Sequence, residues 1–405
     1  MQNRFLRVLA RRTAIPVCQR LLHPAFAGLP RRFGKILGFA PLPPQRVLLH
    51  TGDWAGETVA NAHQYQELSP ANVVERSMAC PIQSASDWRM QHGLRISNPA
   101  RFVVTLPQGR VVGPSGAVIT ADDVLLADLS PDWFLKPRQH PLFWRPKLPE
   151  IKQLKGTYAS LARLSGWNYA HWVLELIPRL ALLEQARIDW RSLDGLILNG
   201  PRNDWKSEML DLLGIPKNKR VYLNAGDHLQ CETLLVPSYV CAPDGFQPWM
   251  VEFLQQAFSS IRSKTSTKSR IYIARNKAGY RHVLNEPEVV ELLERFGFQN
   301  VHCEDLSFRQ KVNLFSSAEA VVSAHGAGLT HLAFCRPGTP VLEIFSPDYV
   351  NGCFWALSDA AGLSYRYMTG VGQQPKEGRD PHAPEKDLLV DISALEKALK
   401  EFHFE

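Results

Sequence analysis

Residues 320–345 constrain the fold more than any other stretch: Ala-Val-Val-Ser-Ala-His-Gly-Ala-Gly-Leu-Thr-His-Leu-Ala-Phe-Cys-Arg-Pro-Gly-Thr-Pro-Val-Leu-Glu-Ile-Phe. The apolar runs 320–324 and 340–345 each suit a buried strand. Between them, Gly326 and Gly328 make a turn whose backbone is free to take positive φ and leaves room for a ligand. Residues 329–335 suit a short helix stopped near Pro337 and Gly338. Strand, glycine turn, helix and strand make one unit of a parallel α/β sheet. Such a turn aims helix-start N–H groups at one point, which suits an anion such as phosphate. Glu343 ends the second strand, where doubly wound folds place an acid on a ribose. The dinucleotide fingerprint is incomplete, because His331 stands at the third glycine position, and two glycines alone also fit a tight turn in any α/β domain.

The alternation extends upstream. Residues 193–198, 221–223, 234–236, 270–275 and 300–302 read as strands, and 204–213, 248–262, 286–296 and 307–317 as helices, the pattern of a mostly parallel sheet. The polar run 263–269 marks a boundary between two α/β domains. Ahead of the first domain, four short aliphatic runs within 100–128 are separated by Pro, Gly or Asp and predict an antiparallel β meander. Residues 132–148, with Trp133, Phe134, Phe143 and Trp144 among prolines, predict a covering loop or one facing an acceptor. The expected division is a leader 1–44, a first domain 45–262 and a second domain 270–405.

Charge is unevenly spread. The net charge is +7, yet residues 1–52 hold nine cations (Arg4, Arg7, Arg11, Arg12, Arg20, Arg31, Arg32, Lys35 and Arg46) and no acid, which leaves the rest of the chain at −2. The basic balance therefore belongs to the leader and argues against a nucleic-acid-binding body. The leader reads as a flexible basic segment, a transit-like peptide, or an amphipathic helix on an anionic membrane surface. No run of eighteen apolar residues exists to span a bilayer. The seven cysteines form no C-x-x-C pair and read as reduced residues, mostly in the core, which fits a reducing, cytoplasmic compartment.

Two further stretches carry chemistry. In 165–184, Ser-Gly-Trp-Asn-Tyr-Ala-His-Trp-Val-Leu-Glu-Leu-Ile-Pro-Arg-Leu-Ala-Leu-Leu-Glu, a helix can begin after Asn168. His171 and Glu175 lie four apart and so share a face, while Trp172, Leu176 and Leu180 turn inward. Pro178 forces a kink or boundary. An acid that orients an imidazole suits a general base, and the same pair also suits a surface ion pair or a capped core histidine. In 273–286, Arg275, Lys277, Arg281 and His282 crowd a loop at the carboxyl end of a strand. Open α/β sheets bind ligands at that edge, and clustered cations suit a diphosphate, although a solvated loop also carries such charges.

In order, Asn168-Tyr-Ala-His171-Trp, Arg275, Arg281, Asn285-Glu286, His325-Gly-Ala-Gly-Leu-Thr, Pro337-Gly and Val341-Leu-Glu343-Ile resemble the catalytic domain of glycosyltransferase family 61. The resemblance covers roughly residues 100–370. It implies an α/β fold of two Rossmann-like domains facing across a cleft (GT-B type), with the meander ahead of the first. It also implies transfer of a sugar from a nucleotide donor, usually a UDP-sugar, with inversion, without an essential metal or cofactor. The acceptor would be a glycan or a lipid-linked glycan of surface polysaccharide synthesis. The sequence agrees on the metal, since it holds no Asp-x-Asp to clasp Mg²⁺ or Mn²⁺ against a diphosphate. On this resemblance His171 is the candidate base and Glu175 its orienting acid. Arg275, Arg281, Gly326 and Gly328 would bind the diphosphate, and His325 would contact a phosphate or hold the turn. Asn285 and Glu286 would position the loop or cap its helix, and Glu343 would take the ribose. Family members often carry Asn at the position of His331, which leaves its nucleotide contact open. Rival readings are a non-catalytic nucleotide- or sugar-binding protein on the same fold and a nicotinamide-dependent enzyme. A serine hydrolase is disfavoured, since the chain lacks G-x-S-x-G.

Overall fold

The computed structural model describes residues 29–82, 86–132, 135–262, 269–378 and 384–402. It is a mixed α/β structure with two large sheets. The principal strands of the first are β1 (Arg101–Pro107), β2 (Arg110–Val112), β3 (Ala117–Ile119), β4 (Val124–Leu126), β5 (Lys152–Ser160), β6 (Gly195–Asn199), β7 (Arg220–Leu223) and β8 (His228–Pro237). Those of the second are β9 (Ser269–Ile273), β10 (Phe298–Val301), β11 (Ala318–Ala324), β12 (Pro340–Phe345) and β13 (Ser364–Thr369).

The first sheet has ten strands, with β4-β3-β2-β8-β5-β6-β7 in spatial order behind the edge strand Arg46–Leu48. β8, β5, β6 and β7 are parallel neighbours. β2, β3 and β4 pair antiparallel in succession. β1 differs from the four-run meander that the sequence predicts, because it does not pair with β2. Both lie antiparallel along β8, β1 beside residues 233–237 and β2 beside 228–230. A ten-residue β8 is long enough for both. The turn closed by Gly109 N–H on the Leu106 carbonyl sets them end to end.

The second sheet is wholly parallel, in the order β10-β9-β11-β12-β13. Counted along the chain this is 2-1-3-4-5, a doubly wound order whose direction reverses between β9 and β11. Its last strand comes from far upstream: Cys80–Pro81 add parallel to β13. Asp87 N–H then donates to the Tyr367 hydroxyl at 2.8 Å. This segment thus sits with the second sheet, not with the first domain where its sequence position puts it.

Strand alternation divides the interior into layers. Leu196 and Leu198 of β6 face a middle layer while Ile197 faces outward to a second cluster. Ile271 and Ile273 of β9 face the same middle layer, and Tyr272 faces away. The middle cluster runs without a break from Trp172 and Leu180 through Met250 and Phe258 to Phe308, Leu332 and Phe354. The two sheets therefore share one core instead of owning separate ones. The leader also differs from a wholly flexible segment. Leu29–Ile36 is a helix, Gly34 is packed where a Cβ would strike the Pro146 carbonyl, and Leu148 N–H donates to Pro41. Residues 1–28 lie outside the described residues. In the 132–148 loop, Leu142, Phe143 and Leu148 bury against Val112, Ile119 and Leu125, so this part covers the β2–β4 strands. Trp133 and Phe134 lie outside the described residues. Among the described cysteines none is in a disulfide.

Candidate active site

The site groups follow the carboxyl ends of strands in both sheets, the edge where backbone turns leave room for ligands. In the first, β5 leads into Arg163, His171 and Glu175. Asn168 starts the helix by accepting Ala170 N–H at 2.9 Å. After one α turn the chain widens into a π turn, Trp172–Leu176, closed by Ile177 N–H on the Trp172 carbonyl at 3.0 Å. Pro178 has no N–H to continue an α ladder, and the next helix, Arg179–Gln185, begins just past it. Single π turns are frequent at functional sites.

His171 Nδ1 donates to Glu175 Oε1 at 2.5 Å, and the ring keeps 30% of its surface exposed. Glu175 Oε2 takes the Arg163 guanidinium at 2.6 Å. Burial alone would raise the Glu175 carboxyl, but Arg163 and the His171 hydrogen bond outweigh it and hold the pKa below the usual range. The acid is therefore a fixed carboxylate, which keeps the proton on Nδ1 and leaves Nε2 as the basic nitrogen. Arg163 was not a sequence candidate. It lies outside the helix, and only the strand-to-helix turn brings it onto Glu175.

In the second sheet, β9 leads into the cation loop and β11 into the glycine turn. Arg275 Nε donates to the Arg281 carbonyl at 3.0 Å and Nη2 to the Tyr280 carbonyl at 2.8 Å. Arg281 Nε donates to the His325 carbonyl at 3.0 Å, and its backbone is held in the left-handed region at φ 57°. Its guanidinium lies 4.6 Å from the Tyr280 ring centre and 5.5 Å from that of Tyr349. Burial and Arg281 both lower the Arg275 pKa, so each arginine feels the other's charge across a poorly solvated gap. Lys277 instead pairs with Asp305, and His282 bonds to Asp387 and the Ala278 carbonyl. Those two side chains brace the loop.

The glycine turn departs from expectation. Gly326 has φ 175°, extended backbone open to any residue, and Gly328 is not in the left-handed region either. What these glycines supply is space. A Cβ on Gly326 would overlap the Arg275 guanidinium, and one on Gly328 would press on Ile273 at 3.0 Å. The short helix expected after the turn is present as Ala327–Phe334, wound as a 3₁₀ helix.

His325 and Glu343 form a second histidine–acid pair. Nδ1 donates to Glu343 Oε1 at 2.6 Å, and the Tyr365 hydroxyl donates to Oε2 at 2.6 Å. Glu343 is 0% exposed with both oxygens engaged, so it holds His325 and does not reach a ribose. Burial lowers the His325 pKa, as do Arg281 and Arg275. His331 is also interior. Its Nδ1 donates to the Gly328 carbonyl at 3.1 Å, and Nε2 accepts the Tyr169 hydroxyl at 2.9 Å. Burial and the Lys311 charge push its pKa down to about 3. It is a neutral packing residue joining the two units, and it makes no contact suited to a nucleotide. Asn285 clamps Val390 through both backbone groups, N–H and carbonyl. Glu286 accepts Arg275 N–H at 2.8 Å and the Tyr272 hydroxyl at 3.1 Å, which positions the loop.

The structure thus brings Arg275, Arg281, His325 and Gly326 together at the point where the strand order reverses. It sets His171 and Glu175 on the other unit. Among the described residues, no group of three His, Cys, Asp or Glu side chains is arranged to hold a metal ion.

Residues 169–342 match the sequence model of the family Glycosyltransferase 61. This stretch of the chain is similar to glycosyltransferase 61 domains. The matched segment runs from the His171 helix into β12 and includes His171, Glu175, Arg275, Arg281, His325, Gly326, Gly328 and His331, while Arg163 lies just before it and Glu343 just after it. Relatives include the EGF domain-specific O-linked N-acetylglucosamine transferase of Drosophila melanogaster, 29% identical over 38% of this chain and 31% of that protein. The beta-1,2-xylosyltransferase of Arabidopsis thaliana is 26% identical over 28% of this chain and 26% of its own length. The beta-1,2-xylosyltransferase RCN11 of Oryza sativa subsp. japonica is 30% identical over 34% and 28%. The chain spans less than a third of the length of these relatives.

Proposed function

We propose that this chain is an inverting, metal-independent glycosyltransferase that moves a sugar from a nucleotide donor, a UDP-sugar, to a hydroxyl of a glycan or lipid-linked acceptor. Its setting would be surface polysaccharide assembly, such as a capsule, at the cytoplasmic face of a membrane. One observation carries the reading: two arginines and a histidine converge on a glycine turn at the reversal point of a doubly wound sheet. A diphosphate fits there, with Arg275, Arg281 and the turn backbone meeting its charge as the glycosidic oxygen departs. His171 takes the acceptor proton as the hydroxyl oxygen bonds to the anomeric carbon from the opposite side. Glu175, held by Arg163, stabilises the imidazolium that forms.

Calorimetric titration with UDP tests the donor site. Arg275→Ala should weaken UDP binding by about 1.5–3 kcal/mol, the range for a charged hydrogen bond, when measured well below the melting temperature of the variant. Unchanged affinity removes Arg275 from the diphosphate site. Transfer from a UDP-sugar should survive EDTA, and strict dependence on Mn²⁺ would end the metal-independent reading. UDP binding with neither transfer nor hydrolysis would favour a non-catalytic nucleotide-binding protein.

A further inference from the structure

One carboxylate of the site region belongs to none of the pairs above. Asp244 lies in the loop after β8, which runs parallel beside β5 with Ala159 opposite Leu235. Loops leaving adjacent parallel strands must emerge together. Here Arg179 ties them, donating Nη1 to the Ala162 carbonyl at 2.8 Å and Nη2 to the Pro237 carbonyl. Leu164 N–H also donates to the Tyr239 hydroxyl at 3.0 Å. The Asp244 loop therefore borders the segment that carries Arg163, His171 and Glu175.

The loop is built to hold one shape. Buried Asn98 accepts Ala242 N–H at 2.9 Å and donates to the Gly245 carbonyl at 3.0 Å. Buried Arg76 donates to the Phe246 carbonyl at 3.0 Å and pairs with Asp359 of the helix Cys353–Ala360 at 3.2 Å. Between these pins Asp244 sits at φ 59°, in the left-handed region. Its carboxylate has no hydrogen-bond or ion-pair partner among the described residues, although the side chain is only partly exposed. Its electrostatic neighbours come from both units: Glu175 and His171 from one side, Cys353 and Tyr349 from the other. Tyr349 in turn packs 5.5 Å from the His325 ring and beside Arg281.

We infer that Asp244 accepts hydrogen bonds from the acceptor's hydroxyls, and that the acceptor portion bound here is a neutral sugar. This rests on the glycosyl-transfer reading. A carboxylate with unoccupied lone pairs suits a vicinal diol, which supplies two donors. An acidic acceptor group would add negative charge where Asp244 and Glu175 already repel, and Arg76, the nearby cation, is shared with Asp359. Burial first and then Glu175 raise the Asp244 pKa, against the pull of Arg76 and His171.

Asp244→Asn and Asp244→Gly both tolerate the left-handed backbone, so each removes the charge without forcing the loop to move. The assay uses a UDP-sugar panel as donors, with p-nitrophenyl glucoside and p-nitrophenyl glucuronide as acceptors. The expected result is a tenfold or greater rise in KM for the glucoside in both variants, with UDP affinity within twofold of wild type. Wild type should favour the glucoside, and Asp244→Asn should narrow that preference. An unchanged acceptor KM, or a wild-type preference for the glucuronide, overturns the inference while the donor reading stands. A tenfold loss of UDP affinity in both variants would move Asp244 to the donor side and also overturn it. Wild-type protein that does not bind UDP defeats the transfer reading, and this inference with it.

Discussion

At Gly326 a side chain is missing because an arginine needs the room. The sequence offered positive φ and room for a ligand as reasons for this glycine; the extended backbone removes the first, and the Arg275 guanidinium occupies the room. Gly326→Ala should therefore leave folding largely intact but displace Arg275, with UDP affinity falling as in Arg275→Ala. Titrating the double variant checks this: an additive loss would show that the two changes act independently. His331 makes the opposite case, a polar residue that reads as functional and is structural. Its folded pKa is about 3 against 6.5 when exposed. Between those values only the unfolded chain takes the proton, so stability falls as pH drops below about 6.5, by at most about 1.4 kcal/mol per pH unit. Urea midpoints at pH 7 and pH 5 should show wild type losing more stability than His331→Asn, by about 2 kcal/mol. Equal losses would mean that His331 titrates normally. Candidate residues were legible by type, since Arg275, Arg281 and His325 do converge. Their partners were not, because Arg163–Glu175, His325–Glu343 and the Asp244 loop are closed by tertiary contacts that no local spacing encodes.

Elements were more legible than residues. The strands β6, β7, β9, β11 and β12 and the helices Asp204–Leu212, Glu286–Arg295 and Phe308–Ser316 lie where apolar runs and turn residues put them. The short helix expected after the glycine turn is wound as 3₁₀, Ala327–Phe334, and Pro178 stands at a boundary, between the π turn Trp172–Leu176 and the helix Arg179–Gln185. The helix Leu29–Ile36 gives partial form to the leader. Phe33, Ile36 and Leu37 stand well exposed, with Ile36 at 81%, beside exposed Arg32 and Lys35. Apolar anchors among cations are suited to the interface of an anionic bilayer. The full chain should co-sediment with vesicles containing anionic lipid and less so with neutral ones. Phe33→Glu together with Ile36→Glu should abolish the difference. Sedimentation unaffected by lipid charge or by the double substitution would take this helix out of any membrane contact.

At the scale of the whole molecule, α/β alternation suggested two domains, each with its own core, because sequence order shows where strands and helices occur but not which faces meet. The structure places a single apolar layer between the sheets, supplied by Leu196 and Leu198 from one and Ile271, Ile273, Val321 and Val341 from the other. Polar links cross the same boundary. Glu208 accepts the Phe308 and Arg309 N–H groups at 2.8 and 3.1 Å, capping the helix Phe308–Ser316, and Tyr169 meets His331. Residues 80–81 extend the far edge of the second sheet although the chain returns to the first sheet afterwards. A chain of this length built from independent domains ordinarily unfolds in steps. Here neither unit can open without exposing the layer that stabilises the other, so scanning calorimetry should record one cooperative transition, with near-equal calorimetric and van't Hoff enthalpies. Glu208→Ala, which removes a helix cap worth about 1 kcal/mol, should lower that single midpoint without splitting it. Two resolved transitions, or a Glu208→Ala trace in which only one half shifts, would mean that the shared layer does not couple the units.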